Sequence, residues 1–320
     1  MASSKTIPPF ETQHGIEQVP VKKKSRKIFM LGGWRGGSFY PYIVHIDLDK
    51  QKCEEIATLH PVMQVHGAAR CMTPYGVFIG GGAAYKSLKT PSKLCTVFDP
   101  KSYEITFPID FPARDYHLIW QAVVSIHYTV YVIGGDTYKY SVRMLDLSRN
   151  DVEWREIPSI KLKPLPRPIA CAIGQTIFVL GPCTYSKKIL LQVIDIPTCS
   201  CTLKSSPPPS VTDTKHASMV AVNTDFYVLG GLERLCLRYD SLTDAWEELT
   251  KPEEQHVNGS AVYVAEDGDG GAAGRIVLSG GCHDSFLSDS IEEYHIATNE
   301  WTMSPLKLPA KVSDHFMAVV

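Results

Sequence analysis

Three short stretches of this 320-residue chain carry residue types that bind metals or phosphates: Cys199-Ser200-Cys201, Cys282-His283 and Asp267-Gly268-Asp269-Gly270-Gly271. Structural zinc takes four ligands, usually as two closely spaced pairs. A packed β-strand accounts better for the cysteine stretches, so no metal is expected. The Asp-Gly segment lacks the Gly-Lys-Ser/Thr ending of a phosphate loop and the acidic spacing of a calcium loop. It reads as a long hairpin loop. No Gly-x-Ser-x-Gly element is present, and no nucleophile pairs with an identifiable base, so neither catalysis nor a cofactor is expected.

A different chemistry is distributed along the chain. Trp34-Arg35, Tyr85-Lys86, Tyr138-Lys139 and Tyr185 with Lys187 and Lys188 each place an aromatic ring beside a cation. Glu233-Arg234 and the group His283, Asp284 and Phe286 hold the corresponding places further on, and Arg114-Asp115-Tyr116-His117 is the most heavily loaded stretch. Aromatic rings with Arg are what protein interfaces favour at their energetic centres. Such a set suits a partner segment bearing Asp, Glu or phosphate, to which Arg makes paired hydrogen bonds.

The elements that position these residues form a repeat. Gly32-Gly33, Gly80-Gly81, Gly134-Gly135, Gly181-Pro182, Gly230-Gly231 and Gly280-Gly281 recur at intervals of 48, 54, 47, 49 and 50 residues. An apolar run such as Ile28-Phe29-Met30-Leu31 or Phe226-Tyr227-Val228-Leu229 leads into each, as a buried strand would. An apolar residue followed by Asp comes next: Ile46-Asp47, Phe98-Asp99, Leu145-Asp146, Ile194-Asp195 and Tyr239-Asp240, with Tyr294-His295 departing in the sixth copy. An Asp there can accept from backbone amides two residues on and fix a turn. Six residues past that place stand Cys53, Ile105, Cys201, Trp246 and Trp301, and in the third copy Trp154 falls eight past it. An indole at this place can fill the wedge between neighbouring sheets, so the copies with Cys or Ile are expected to pack less tightly.

Together the apolar run, the glycine doublet, the apolar-Asp pair and the Trp place resemble the kelch repeat over residues 27–320, whose period near 50 is longer than that of WD40 repeats. The resemblance implies an all-β fold: a six-bladed propeller with four antiparallel strands per blade. The copies begin at a second strand and end on His315-Phe316-Met317-Ala318-Val319-Val320, which reads as a first strand like His66-Gly67-Ala68-Ala69 and His216-Ala217-Ser218-Met219. The C-terminal strand is therefore expected to complete the first blade, removing free sheet edges. Loops after the second and fourth strands then share one face, which collects Trp34, Arg35, Tyr85, Lys86, Arg114, Tyr116, His117, Tyr138, Lys139, Tyr185, Lys187, Arg234, His283 and Phe286.

Composition narrows the rest. No run of about 18 apolar residues spans a membrane, and Met1 to Pro20 lacks the apolar centre of a signal peptide. Nine cysteines without paired spacing fit a reducing compartment, cytoplasm or nucleus. Residues 1–26 read as a flexible basic tail. Residues 1–27 hold six cations and two acids, a charge of +4 against −2 for the whole chain, so the remainder is near −6. That acidic body argues against nucleic acid as the partner, although Lys22 to Lys27 has the composition of an import signal.

The chain is most similar to the kelch portion of BTB–Kelch proteins, and the likeness implies a non-catalytic protein-recognition module that presents substrates to a cullin-3 ubiquitin ligase. The residues before Lys27 are too few for a BTB or BACK domain, so that role calls for a longer product or a separate adaptor. Actin binding is the alternative the family suggests. A sugar-modifying enzyme of mutarotase or oxidase type is a lesser one, for which no Tyr, His and Cys copper arrangement is found.

Overall fold

The computed structural model describes residues 27–84, 94–110, 120–134, 141–149, 152–266 and 274–319. The expected tail 1–26, the Asp-Gly segment 267–271 and Val320 lie outside them. Six four-stranded antiparallel sheets make up the blades of a propeller. Blade 1 joins Phe316–Val319 to Lys27–Leu31, Tyr42–Asp47 and Lys52–Thr58, and the terminal strand pairs Val319 with Ile28 and Phe316 with Leu31. Blade 2 comprises Ala69–Thr73, Gly76–Gly80, Leu94–Phe98 and Ile105–Asp110. Blade 3 comprises Ala122–Ile126, Thr129–Ile133, Val142–Asp146 and Trp154–Glu156. Blade 4 follows with Ile169–Ile173, Thr176–Pro182, Ile189–Asp195 and Ser200–Lys204. Ala217–Val222, Asp225–Gly230, Leu235–Asp240 and Ala245–Glu248 form blade 5, and Ser260–Ala265, Gly274–Ser279, Ser290–His295 and Glu300–Lys307 form blade 6.

First strands line the central channel, and each second strand lies between two neighbours of its own sheet with a blade against either face. Phe29 to Leu31, Val77 to Ile79 and Phe226 to Leu229 are accordingly buried at every residue, where a surface strand would alternate. Fourth strands sit on the outside and are mostly exposed, as in Lys52–Thr58 and Ser200–Lys204. Ring closure by the last strand leaves no open inner edge in blade 1, as the sequence implied.

The turn from third to fourth strand repeats one device. Asp99, Asp146 and Asp240 accept from the amides of Lys101, Ser148 and Leu242 at 2.9, 3.0 and 2.8 Å. Asp47 and Asp195 reach one residue further, to Lys50 and Thr198 at 3.0 and 2.8 Å. These turn hydrogen bonds hold the carboxyls of Asp99, Asp146, Asp195 and Asp240 below the ordinary range. The wedge place lies opposite the apolar residue that precedes the acid in all six blades: Ile46 with Cys53, Phe98 with Ile105, Leu145 with Trp154, Ile194 with Cys201, Tyr239 with Trp246 and Tyr294 with Trp301.

Two residues ahead of that place the chain is left-handed in five blades, at Gln51, Tyr103, Cys199, Asp244 and Asn299. In blades 5 and 6 this residue and the indole form a two-point clamp on the preceding blade. Asp244 accepts from the Ser205 amide at 3.0 Å while the Trp246 indole donates to the Ser205 carbonyl at 2.8 Å. Asn299 accepts from the Thr250 amide at 3.0 Å while Trp301 donates to the Thr250 carbonyl at 2.7 Å. The same two acceptors also take the hydroxyls of Tyr239 and Tyr294, at 2.7 and 3.0 Å. Burial disfavours a charge on Asp244, but the hydrogen bonds from Tyr239 and Ser205 outweigh it and hold the carboxyl below its ordinary value.

The glycine doublets turn the chain where it meets the next connection. A Cβ on Gly281 would lie 2.8 Å from the Gly259 nitrogen and the Val257 carbonyl, so only glycine fits there. In blade 2 the left-handed pair is Gly81-Gly82, one residue later than the doublet at Gly80-Gly81; Gly80 pairs with Ala69 in its strand and takes no positive φ. In blade 4 the strand runs through Gly181 to Pro182, whose ring fixes φ in the right-handed half of the map. The first strand of blade 2 begins at Ala69; Val65 and His66 pair instead with Ala84 and Ala83.

Candidate functional site

Connections after the second and fourth strands emerge together on one face. In blade 1 the glycine doublet releases a tight loop, Arg35 to Ser38, closed by the Arg35 amide donating to the Ser38 carbonyl at 2.8 Å. Gly36 and Gly37 take φ of 53° and 113°, which a side chain would resist, and Arg35 projects from the loop into solvent. Trp34, half-buried, exchanges backbone hydrogen bonds with Ser313 at 2.6 and 2.9 Å and so fixes the loop to the connection from blade 6.

Blade 6 supplies the opposite wall. Cys282–His283 and Phe286–Leu287 form a miniature hairpin over the left-handed pair Asp284 and Ser285, and its tip carries Phe286 at 77% exposure. His283 accepts from the Gln255 amide at 3.2 Å, and Gln255 accepts from the Asp284 amide at 3.0 Å. His283 is thereby a brace for the hairpin. Cys282 and His283 do not belong to a metal cluster; no group of three or more His, Cys, Asp or Glu side chains suited to a metal occurs among the described residues. Cys199 and Cys201 pack in the core between blades 3 and 4, with the Cys199 thiol against the Ile196 carbonyl.

Between the two loops lies a cleft of about 480 Å³ that brings together Arg35, Phe286 and Lys311, the last from the connection between blades 6 and 1. Arg35 and Lys311 are both exposed cations. Glu55 also faces the cleft, and its carboxylate accepts from the buried Tyr40 hydroxyl at 2.6 Å. Lys311 has no aromatic neighbour in sequence, so the aromatic-cation pattern misses it; only ring closure brings it beside Arg35.

The other sequence candidates are spread around the face. Tyr185 is 76% exposed on blade 4, beside the left-handed Lys187. Arg234 on blade 5 donates to the Glu253 carbonyl at 3.1 Å, and Glu233 accepts from the amides of Thr212 and Asp213 at 3.1 and 3.0 Å, bracing the loop. Tyr185, Lys187 and Arg234 do not line the cleft between blades 6 and 1. Tyr85, Lys86, Arg114, Tyr116, His117, Tyr138 and Lys139 lie outside the described residues.

A second feature of this face escaped the sequence reading. Gly67, Trp120, Arg167, His216, Asn258 and Asp314, one from each connection into a first strand, are all left-handed and ring the mouth of the central channel. Backbone hydrogen bonds pass from one to the next: Trp120 to the Gly67 carbonyl, Asn258 to that of His216 and Asp314 to that of Asn258, at 3.2, 2.9 and 2.8 Å. Their side chains continue the ring. The Arg167 guanidinium lies 4.8 Å from the Trp120 ring centroid, Trp120 meets His216 edge-on, and His216 is hydrogen-bonded to Asn258 at 2.6 Å. Arg70 reaches beneath them to the carbonyls of Asp314 and Val65 at 2.8 and 2.9 Å, joining blade 2 to the closing segment. Burial lowers its pKa to about 10, partly offset by Asp314. His315 is buried and bonded to Ser279 at 2.9 Å; burial, with Arg70 and His256 nearby, pushes its pKa down to about 3 and keeps it neutral. The signal was present in the sequence: Gly67, Trp120, Arg167 and His216 each precede the glycines at 81, 134, 181 and 230 by the same interval.

No protein-family model matches this chain, and no curated protein matches it.

Proposed function

We propose that this propeller is a non-catalytic, kelch-type recognition module whose loop face holds a segment of a partner protein rich in acidic or phosphorylated residues. The fold is consistent with such a module. The observation that carries the reading is the cleft between blades 6 and 1, where Arg35 and Lys311 flank the exposed ring of Phe286. A ring standing at 77% exposure on a braced hairpin gains from burial against an apolar partner group. Two cations beside it favour a carboxylate or phosphate on the same segment.

The resemblance to BTB–Kelch proteins extends this proposal to a substrate receptor for a cullin-3-type ligase, working in a reducing compartment. None of the nine cysteines is in a disulfide, which suits that setting. The test is an array of acidic, phosphorylated and neutral peptides probed with labelled protein at two ionic strengths. Acidic and phosphorylated peptides are expected to be captured, more weakly at high salt; capture that ignores peptide charge would defeat the reading. Cosedimentation with actin filaments would favour the cytoskeletal alternative instead.

A further inference from the structure

We infer that the seam between blades 1 and 2 is a binding site for a small fused-ring aromatic molecule of indole type. The seam holds a cavity of about 550 Å³, within the usual range for small-molecule pockets. Its walls are mostly apolar, with Ile43, Met63, Phe98, Tyr103 and Ile105 among them, and Thr58, His60 and Thr96 as the polar minority.

The molecule itself indicates what fits. At the equivalent place in blades 5 and 6, the protein's own indoles, Trp246 and Trp301, occupy the wedge and donate to a carbonyl of the preceding blade. Blade 2 has Ile105 in the same register, opposite Phe98 as Trp246 is opposite Tyr239. The backbone of the turn is retained, since Tyr103 is left-handed like Asp244 and Asn299. The side chains that close the wedge are not. Ser205 and Thr250, which take the indole N–H, stand four residues past the wedge place of their own blades; in blade 1 a bulge between Ile43 and Val44 puts Thr58, opposite Tyr42, at the matching position, and Thr58 lines the cavity.

Loss of Trp does not by itself open a wedge. Cys201 shares an apolar cluster with Ile157 and Ile160, and Cys53 shares one with Leu306 and Leu308. In blade 2, Ile105 and Phe98 share a cluster with Ile56, Leu59 and Met63 of the blade 1 side, and the cavity remains beside that packing. A bound planar ring would restore the buried contact that Trp246 makes with Phe226 and Tyr239, at ring separations of 5.5 and 4.9 Å, using Phe98 and Tyr103 in their place.

The test uses indole itself, titrated into the intact protein by calorimetry. One-to-one saturable binding is expected, weakened at least about tenfold by Ile105→Trp and unchanged by Leu242→Ser on the exposed turn of blade 5, which leaves the seam untouched. Ile105→Trp is read beside its melting temperature. Independently of any variant, intermolecular nuclear Overhauser effects are expected from indole protons to the methyl groups of Ile43, Met63 and Ile105. Absence of saturable binding, binding that survives in a folded Ile105→Trp protein, or contacts mapping elsewhere would overturn the proposal.

Discussion

The seam between blades 4 and 5 and the seam between blades 1 and 2 share a left-handed turn but differ in chemistry and in strand register, since the third-to-fourth strand pairings of blades 1 and 2 carry a bulge and those of blades 4 and 5 do not. Both place a left-handed residue two positions ahead of the wedge place, at Asp244 and at Tyr103. In the first, that residue accepts from the neighbouring blade and the following indole donates back to it, so the blades are joined by two directed hydrogen bonds and a ring cluster. In the second, Tyr103 and Ile105 supply neither partner, and a cavity stands in their place. The left-handed turn recurs in five blades, whereas the clamp is a reinforcement that individual seams keep or lose. Arg70, bound to the Asp314 and Val65 carbonyls, holds blade 2 to the closing strand from the channel side.

The largest expected effect comes from removing a clamp's indole. Trp301→Ala should cost about 3 kcal/mol, the low end for deleting a packed aromatic, and urea denaturation would measure it. Asp244→Ala strips the acceptor from the Ser205 amide and the Tyr239 hydroxyl and should cost about 2 kcal/mol. Ile105→Trp adds an indole where the wedge is open and is expected to be the reverse case, a gain of about 1 kcal/mol seen as a raised melting temperature. A loss of stability there would mean that the bulged strands of blades 1 and 2 hold the wedge in a shape that an indole does not fit.

Acid should separate the clamps further. The Asp244 carboxyl is held below its unfolded value, so the stability it contributes is complete above about pH 4 and is lost as pH falls through the folded value. Asn299 makes the same hydrogen bonds without a charge. Asp244→Asn is therefore expected to flatten the decline in melting temperature between about pH 5 and 3 while changing little at neutral pH. An unaltered acid profile would place the acid sensitivity elsewhere, with the turn carboxyls Asp99 and Asp146 as the next groups to replace.

Much of the propeller was legible because its signals are local and repeated. Apolar runs, turn aspartates and wedge residues recur at fixed places within each copy, and six copies make even Cys53 and Ile105 recognisable by place. The errors fall where identity and geometry diverge. Gly80 follows an apolar run like the other doublets but takes no positive φ, and the left-handed pair begins one residue later. The ring of Gly67, Trp120, Arg167, His216, Asn258 and Asp314 shares a backbone conformation and almost no side-chain chemistry, so type-based reading passes over it. Lys311 joins Arg35 only because the last strand closes the first blade, a long-range consequence that no local motif announces.

The function proposed for the face depends on the paired cations, and reversing both tests it directly. Fluorescence anisotropy of a labelled acidic phosphopeptide selected by the wild-type protein would be compared with that of the Arg35→Glu, Lys311→Glu double variant. Loss of at least about 100-fold in affinity, with the melting temperature unchanged, is the expected result for two exposed charges that contact the partner and not the fold. Undiminished affinity in the folded double variant would contradict the account and move the recognition site away from the cleft between blades 6 and 1.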